Sequence, residues 1–289
     1  MQYELLGLYA ETSIHAGAGK STGVIDLPIM REAHTGWPCI YGSAVKGALR
    51  SKAEQCLGKE AVADVFGPDT KNASDHAGAL AVGDARLLLL PVRSLTSHFK
   101  WVTCPALLTR AVADARRMGK LPPQFKLPEI TQEQALQCGE SQQLYLEEFH
   151  FAALKTDLSD VIGWLAGFVP SEPDFNLSLT AQLVIVHDDL FAHLAQYATP
   201  VTPHIAIDNT RKTVKDGALW YEETLPAETV LYIALAASRS RKRSGEVSAA
   251  QVLQQTLQLF PAAAPYLQLG GNETVGMGWC RVGAYAKEG

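Results

Sequence analysis

Apolar and polar positions change period several times along this chain, and each change marks an element. Tyr3 to Ile14 mixes apolar, aromatic and β-branched residues and reads as a first strand. A Gly/Ser/Thr-rich loop follows from His15 to Gly23, and an irregular, proline-bearing segment runs from Asp26 to Tyr41. Gly42 and Ser43 then open a helix, with Ser43 as the expected N-cap and Ala44, Val45, Ala48 and Leu49 behind it. Phe66 to Ala77 is rich in turn residues. Ala79 to Val92 reads as a strand pair or one long strand, with Leu87 to Leu90 buried. Pro105 to Met118 has a helical pattern, with proline in its first turn.

The second half repeats this mixture. Leu121 to Cys138 reads as an excursion from the core, and Gln143 to Leu154 returns to strand patterning. Leu177 to Val186 reads as a strand, and His187 to Tyr197 as a helix begun and capped by aspartates. Thr202 to Val214 predicts a hairpin with Asp208-Asn209-Thr210 at its turn. Leu219–Leu225 and Thr229–Ala236 read as strands, Ser248–Leu259 as a helix, Gly270–Gly278 as a glycine-rich loop, and a last strand starts at Trp279. Strands and helices without strict alternation favour an α+β fold with an antiparallel sheet, and two β-α-β halves fit a ferredoxin-like arrangement. The expectation is one domain over 1–289, with insertions near 56–78 and 94–140 and the hairpin near 200–215.

Charge alters this picture little. The formal net charge is -5, which argues against a protein that coats nucleic acid by bulk charge but leaves room for a local basic stripe. Arg110, Arg116, Arg117 and Lys120 form one candidate cluster, and Arg239, Arg241, Lys242 and Arg243 another; the alternative for each is a solvated face. The five cysteines are scattered and never spaced C-x-x-C, against a structural zinc site or a disulfide framework. No signal peptide and no run long enough for a membrane span is visible, so a cytoplasmic protein is expected.

Four motifs carry candidate chemistry. Gly17-Ala-Gly-Lys-Ser-Thr22 invites a P-loop reading, but Ile14 occupies the position where that loop needs its first glycine. A flexible loop offering Lys20 to a phosphate is the reading that survives. His187-Asp188-Asp189 lacks the partners of a metal phosphohydrolase and reads as a helix start. Ser43, Lys46 and Arg50 share one helix face beside Gly47, a ready phosphate site at a helix N-terminus. Gly270 to Gly278 could turn backbone N–H groups toward a phosphate; the bland alternative is a tight turn.

Taken in order, these pieces resemble the RAMP superfamily, and within it the backbone nuclease subunit of type III-B (Cmr) CRISPR complexes. The resemblance rests on His15 to Glu32 with Asp26 inside it, Gly42-Ser-Ala-Val-Lys-Gly-Ala-Leu-Arg50, Phe66-Gly-Pro68, Asp84-Ala-Arg86, Pro91-Val-Arg-Ser94, Gly217-Ala-Leu-Trp-Tyr-Glu-Glu223 and Gly270-Gly-Asn-Glu-Thr-Val-Gly276, and covers most of the chain.

The resemblance implies an RRM-like palm with a β-hairpin thumb, copies of which stack along a guide RNA (crRNA) beside other Cmr subunits. It implies metal-dependent cutting of the paired target RNA at regular intervals, leaving a 2′,3′-cyclic phosphate. Asp26 is the implied catalytic residue, either as a ligand for a divalent cation, Mg²⁺, or by orienting the 2′-hydroxyl directly. His15, Glu222 and Glu223 are secondary candidates, with plainer readings as a guide contact and as strand-surface charges. Ser43, Lys46 and Arg50 resemble guide-phosphate contacts, and Gly270, Gly271, Thr274 and Gly276 the loop supporting the guide. Ile205 and Ile207 would wedge against bases, with Arg211 and Lys212 on phosphates. Met277, His204, Ala206 and Ala44 depart from the family pattern. A non-cleaving scaffold of the same fold is the alternative, and an unrelated α+β enzyme a more distant one.

Overall fold

The computed structural model describes residues 1–69, 75–169, 174–242 and 246–286. Its first half contains β1 (Gln2–Ala10), β2 (Cys39–Ile40), α1 (Gly42–Cys56), α2 (Lys59–Phe66), β3 (Leu80–Val82), β4 (Ala85–Arg93), β5 (Phe99–Thr103) and α3 (Pro105–Arg117). Next come β6 (Gln134–Gln137), β7 (Gln143–Leu146), β8 (Phe149–Lys155), α4 (Ser159–Ala166), α5 (Phe175–Gln182), β9 (Leu183–Val186) and α6 (Asp188–Tyr197). The chain closes with β10 (Val201–Asp208), β11 (Thr213–Glu223), β12 (Val230–Ala237), α7 (Ala249–Leu257), β13 (Tyr266–Gln268) and β14 (Trp279–Ala284).

One sheet runs in the order β13-β14-β1-β12-β4-β5-β9-β6-β8-β7. Its β14-β1-β12-β4 part is antiparallel throughout. With α1 after β1 and α7 after β12, this is the ferredoxin-like β-α-β-β-α-β arrangement. Strands β5 to β9 extend the same sheet, through parallel pairing of β5 with β9 and of β6 with β8.

Both faces of the sheet are covered. Leu6, Leu8 and Ala10 join the core that includes Val45 and Leu49 of α1 and Val252 of α7. Leu5, Leu88 and Tyr232 face a second core with Leu108, Val161, Trp164 and Leu179 from α3, α4 and α5. This explains why Leu87–Leu90 is buried without alternation. The face on which an RRM stacks bases is therefore interior here. Gly7 is required by the second layer: a Cβ there would meet the Phe168 carbonyl oxygen at 1.6 Å.

Several local expectations change. The first strand ends at Ala10, and Ile14 makes only an isolated bridge to Leu225. Residues 177–182, read as the start of a strand, belong to α5: Phe175 and Leu179, four apart, are its buried pair and Leu177 is exposed. The excursion after Leu121 ends in β6, a strand between β8 and β9. Ser43 is not the cap of α1; it is exposed in the first turn, and Asp84 Oδ1 accepts from Gly42 N (2.7 Å) instead. The cap of α6 is His187, whose Nδ1 accepts from Asp189 N, while Asp188 accepts from Ala106 N at the start of α3.

The hairpin of β10 and β11 stands as a separate two-stranded sheet. Its return strand is longer than expected and is bulged: Ile205 pairs with Leu219 and Ile207 with Val214, with Gly217 at φ +70 in the extra loop. No helix among the described residues is long and apolar enough to cross a membrane.

Candidate RNA-binding and cleavage site

The segment after β1 folds back on itself. Ala18 N donates to Pro28 O, Met30 N to Ala16 O, and Ser21 N to Asp26 O. Gly17 to Thr22 is therefore the tip of a looped excursion with Lys20 exposed, and no helix follows it as a P-loop demands. The returning arm lies against the end of β11. Leu27 bridges Glu222, Leu27 N donates to Tyr221 O (3.0 Å), and Glu223 N donates to Leu27 O (3.0 Å).

Asp26 sits at this junction. Its Oδ2 accepts from Tyr221 N at 2.8 Å. The side chain is half-buried, and among the described residues its second oxygen has no hydrogen-bond partner. A half-exposed carboxylate held by one oxygen can present the other to a ligand.

The neighbouring candidates divide in function. His15 Nδ1 donates to Glu223 O (2.7 Å); because a carbonyl only accepts, Nδ1 carries a proton. Glu223 is not a strand-surface charge: it is buried, and its oxygens accept from Ile29 N (3.1 Å), Arg31 (2.5 Å) and Thr199 Oγ1 (2.6 Å). Both oxygens are engaged within the fold, so Glu223 builds the site's frame. Glu222 is also buried and accepts from Asn272 Nδ2 at 2.6 Å. His15, Asp26, Glu222 and Glu223 thus converge on the last three residues of β11.

The glycine-rich loop joins them. Gly271 N donates to His15 O (2.9 Å), and Gly270, at φ +86, lies so close that a Cβ would meet His15 O at 2.3 Å. Thr274 and Gly276 lie exposed around a single 3₁₀ turn, Glu273–Val275. Lys46 is half-buried with no side-chain partner among the described residues. Arg50 turns away from it: its guanidinium donates to Gly67 O (3.1 Å), Pro68 O (3.0 Å) and Glu54 Oε1 (2.9 Å). Ser43 and Lys46 thus remain open, whereas Arg50 anchors the loop after α2.

On the hairpin, Ile205 and Ile207 are about half exposed, and Arg211 and Lys212 lie at the exposed tip, where Asp208 Oδ1 accepts from Thr210 N and Arg211 N. His204 stacks on Trp220 across the strands, with centroids 5.5 Å apart and planes at 14°. Several members of the two basic clusters pair with acidic side chains of the fold. Arg110 donates to Glu32 and lies over the Trp37 ring, Arg117 pairs with Asp114, Lys120 with Glu4, and Lys242 with Asp64. Arg243 lies outside the described residues.

Among the described residues no group of three or more His, Cys, Asp or Glu converges as a metal cage. The chain fits a single-carboxylate contact to a divalent cation at Asp26, not a self-contained metal centre. Sequence reasoning missed Arg31, Thr199 and Asn272. Arg31 lay inside the matched stretch, and its neighbour Glu32 repeats the pattern of a buried partner; Asn272 was signalled only by its place among the glycines.

The chain is similar to known proteins over nearly its whole length. The model of the RAMP superfamily matches residues 8–281. The CRISPR system Cmr endoribonuclease Cmr4 of Pyrococcus furiosus is 35% identical over 290 residues, which cover 98% of this chain and 95% of that protein. The crystal structure of oligomeric Cmr4 from Pyrococcus furiosus superposes with a TM-score of 0.75 at 29% identity, over 99% of this chain and 98% of the other. A chain of the type III-B Cmr-beta complex bound to cognate target RNA shares the fold, at 20% identity and a TM-score of 0.75, over 99% of this chain and 98% of that one.

Proposed function

We propose, from the premise that this chain belongs to the RAMP superfamily, that it is the repeating backbone subunit of a type III-B Cmr effector complex and its target-RNA endonuclease. Copies of the chain assemble along crRNA with other Cmr subunits and cut the paired target RNA. The observation that carries the reading is Asp26, held by Tyr221 N at the junction of palm loop and hairpin with one oxygen open to a ligand.

Cleavage is a displacement within the RNA. The 2′-oxygen attacks the adjacent phosphorus, the bond from phosphorus to the 5′-oxygen breaks, and the products are a 2′,3′-cyclic phosphate and a 5′-hydroxyl. The 2′-hydroxyl gives up a proton and the leaving oxygen gains one. Alignment contributes most of the acceleration such a step needs, because the nucleophile is already part of the substrate. Asp26 orients the 2′-hydroxyl through its open oxygen; the same oxygen would hold a divalent cation such as Mg²⁺, which when bound would offset charge on the phosphate. Glu223 and Arg31 hold the loop that carries Asp26. Ser43, Lys46 and the N–H groups around Gly270, Gly271, Thr274 and Gly276 receive the guide backbone, Lys20 lies beside Asp26 for a phosphate, and Ile205 and Ile207 separate bases while Arg211 and Lys212 meet phosphates.

The test is target cleavage by the assembled complex carrying Asp26→Asn, with and without Mg²⁺. Loss of the regular cuts with target binding retained is expected. Unchanged cutting would move the chemistry to another residue or subunit and leave this chain as the guide-binding scaffold.

A further inference from the structure

We propose that Asn272 is a positioning residue for Asp26, tying the loop that receives the guide to the strand that holds the carboxylate. The inference rests on the endonuclease reading above and adds to it a residue with no part in the chemistry itself.

Asn272 is one of four non-glycine residues with positive φ among those described, at φ +62 and ψ 26. Asparagine tolerates this left-handed conformation better than most residues. The backbone here is also well tied: Val275 N and Met277 N both donate to Asn272 O. The conformation sends the side chain out of the loop to Glu222, where Nδ2 donates to Oε1 at 2.6 Å. A carboxylate only accepts, so the amide's orientation is settled by its partner. Behind the amide lies Met277 Sδ at 3.6 Å.

Glu222 adjoins Tyr221, whose N–H holds Asp26, and bridges Leu27, the residue after Asp26. One side-chain hydrogen bond therefore separates the glycine-rich loop from the segment bearing the reactive carboxylate. It is also a bond to a buried charge, which is costly to leave unmade. A guide phosphate seated on the loop's N–H groups immobilises Asn272, and through Glu222 it immobilises the end of β11. Asp26 is then held more firmly in register when the guide is in place, which couples guide loading to competence for cutting.

Three variants test this in the complex assembled with crRNA. Asn272→Gly keeps the left-handed backbone accessible and removes the amide. Asn272→Asp turns the donor into a second carboxylate facing Glu222. The pair Asn272→Asp with Glu222→Gln restores one hydrogen bond with its direction reversed. Guide and target affinities are measured alongside the single-turnover cleavage rate at saturating target. We expect affinities within about twofold of wild type and rates lowered about 10- to 100-fold in both single variants, the scale of a small misplacement of a reacting group. The double variant should recover most of the rate that Asn272→Asp alone loses.

Wild-type rates in the single variants, or affinity losses as large as the rate losses, would overturn the proposal. So would a double variant no faster than Asn272→Asp alone. Asp26→Asn in the same series separates the two levels of inference. If it cuts like wild type, the endonuclease reading fails; if it is silent while the Asn272 variants are fully active, only the coupling fails.

Discussion

Arg31 and Glu223 form an ion pair at 2.5 Å in which both side chains are largely buried. The Arg31 guanidinium also donates to Gly36 O and Ala195 O at 2.8 Å each, so one side chain joins the Asp26 segment, the end of β11 and the C-terminal half of α6. Removing either partner strands a buried charge. Arg31→Met or Glu223→Ala alone should cost about 3–5 kcal/mol, and the two together less than the sum. Denaturant unfolding of the four proteins of the cycle measures this; additive losses would mean that the pair is not coupled.

Lys46 and Arg50 should separate in the same helix. Lys46→Ala should leave stability within about 0.5 kcal/mol and reduce the salt slope of guide binding by about 0.7, one phosphate contact on single-stranded RNA. Arg50→Ala should instead destabilise the fold by about 1–3 kcal/mol, because Gly67 O and Pro68 O lose their donor. Salt titrations of guide binding and thermal melts read the two effects independently. A full salt-slope change in Arg50→Ala without a stability loss would reverse the assignment.

The contrast between these residues shows what a sequence carries. The strands, the hairpin and the glycine-rich loop follow from local patterning, and Asp26 from an ordered run of matched residues. The helical face of Ser43, Lys46 and Arg50 was equally legible, but not that Arg50 would bend toward a loop seventeen residues on. Glu222 and Glu223 look equivalent in one dimension. In the strand they alternate, one toward Asn272 and the other toward Arg31, with partners 50 and 192 residues away. No periodicity records such pairs. The basic clusters were misleading for the same reason: their acidic partners, Glu32, Asp64 and Glu4, are remote or unremarkable in sequence.

The cysteines give a control for the integrity of any variant. Burial pushes the Cys39 thiol up to about 11 and the Cys280 thiol up to about 12, and moves Cys104 in the same direction. At pH 8 these thiols carry almost no thiolate, the form that reacts. Cys56 is exposed and should alkylate first with iodoacetamide, while Cys39, Cys104 and Cys280 should label only on unfolding. Raising the pH to 9 should not open these three. Early labelling of Cys39 or Cys280 in the native protein would show that the sheet is not packed as described.

The hairpin should tolerate changes that the rest of the fold would not. Ile205, Ile207, Val214 and Leu219 are each about half exposed on a two-stranded sheet that, among the described residues, pairs with no other strand. About half of each side chain stays open in the isolated chain, an apolar surface suited to cover by a base. Ile205→Ser with Ile207→Ser should therefore change stability by no more than about 1 kcal/mol in total, two surface-like substitutions of about 0.5 each. The same pair should weaken target binding to the assembled complex, because unstacking bases needs apolar contact in return. The two measurements decide between distinct situations. Lost binding with retained stability identifies the hairpin as a contact surface for RNA. A stability loss of several kcal/mol in the free chain would instead mean that this face packs against the palm in solution, and that the thumb must lift before RNA can enter.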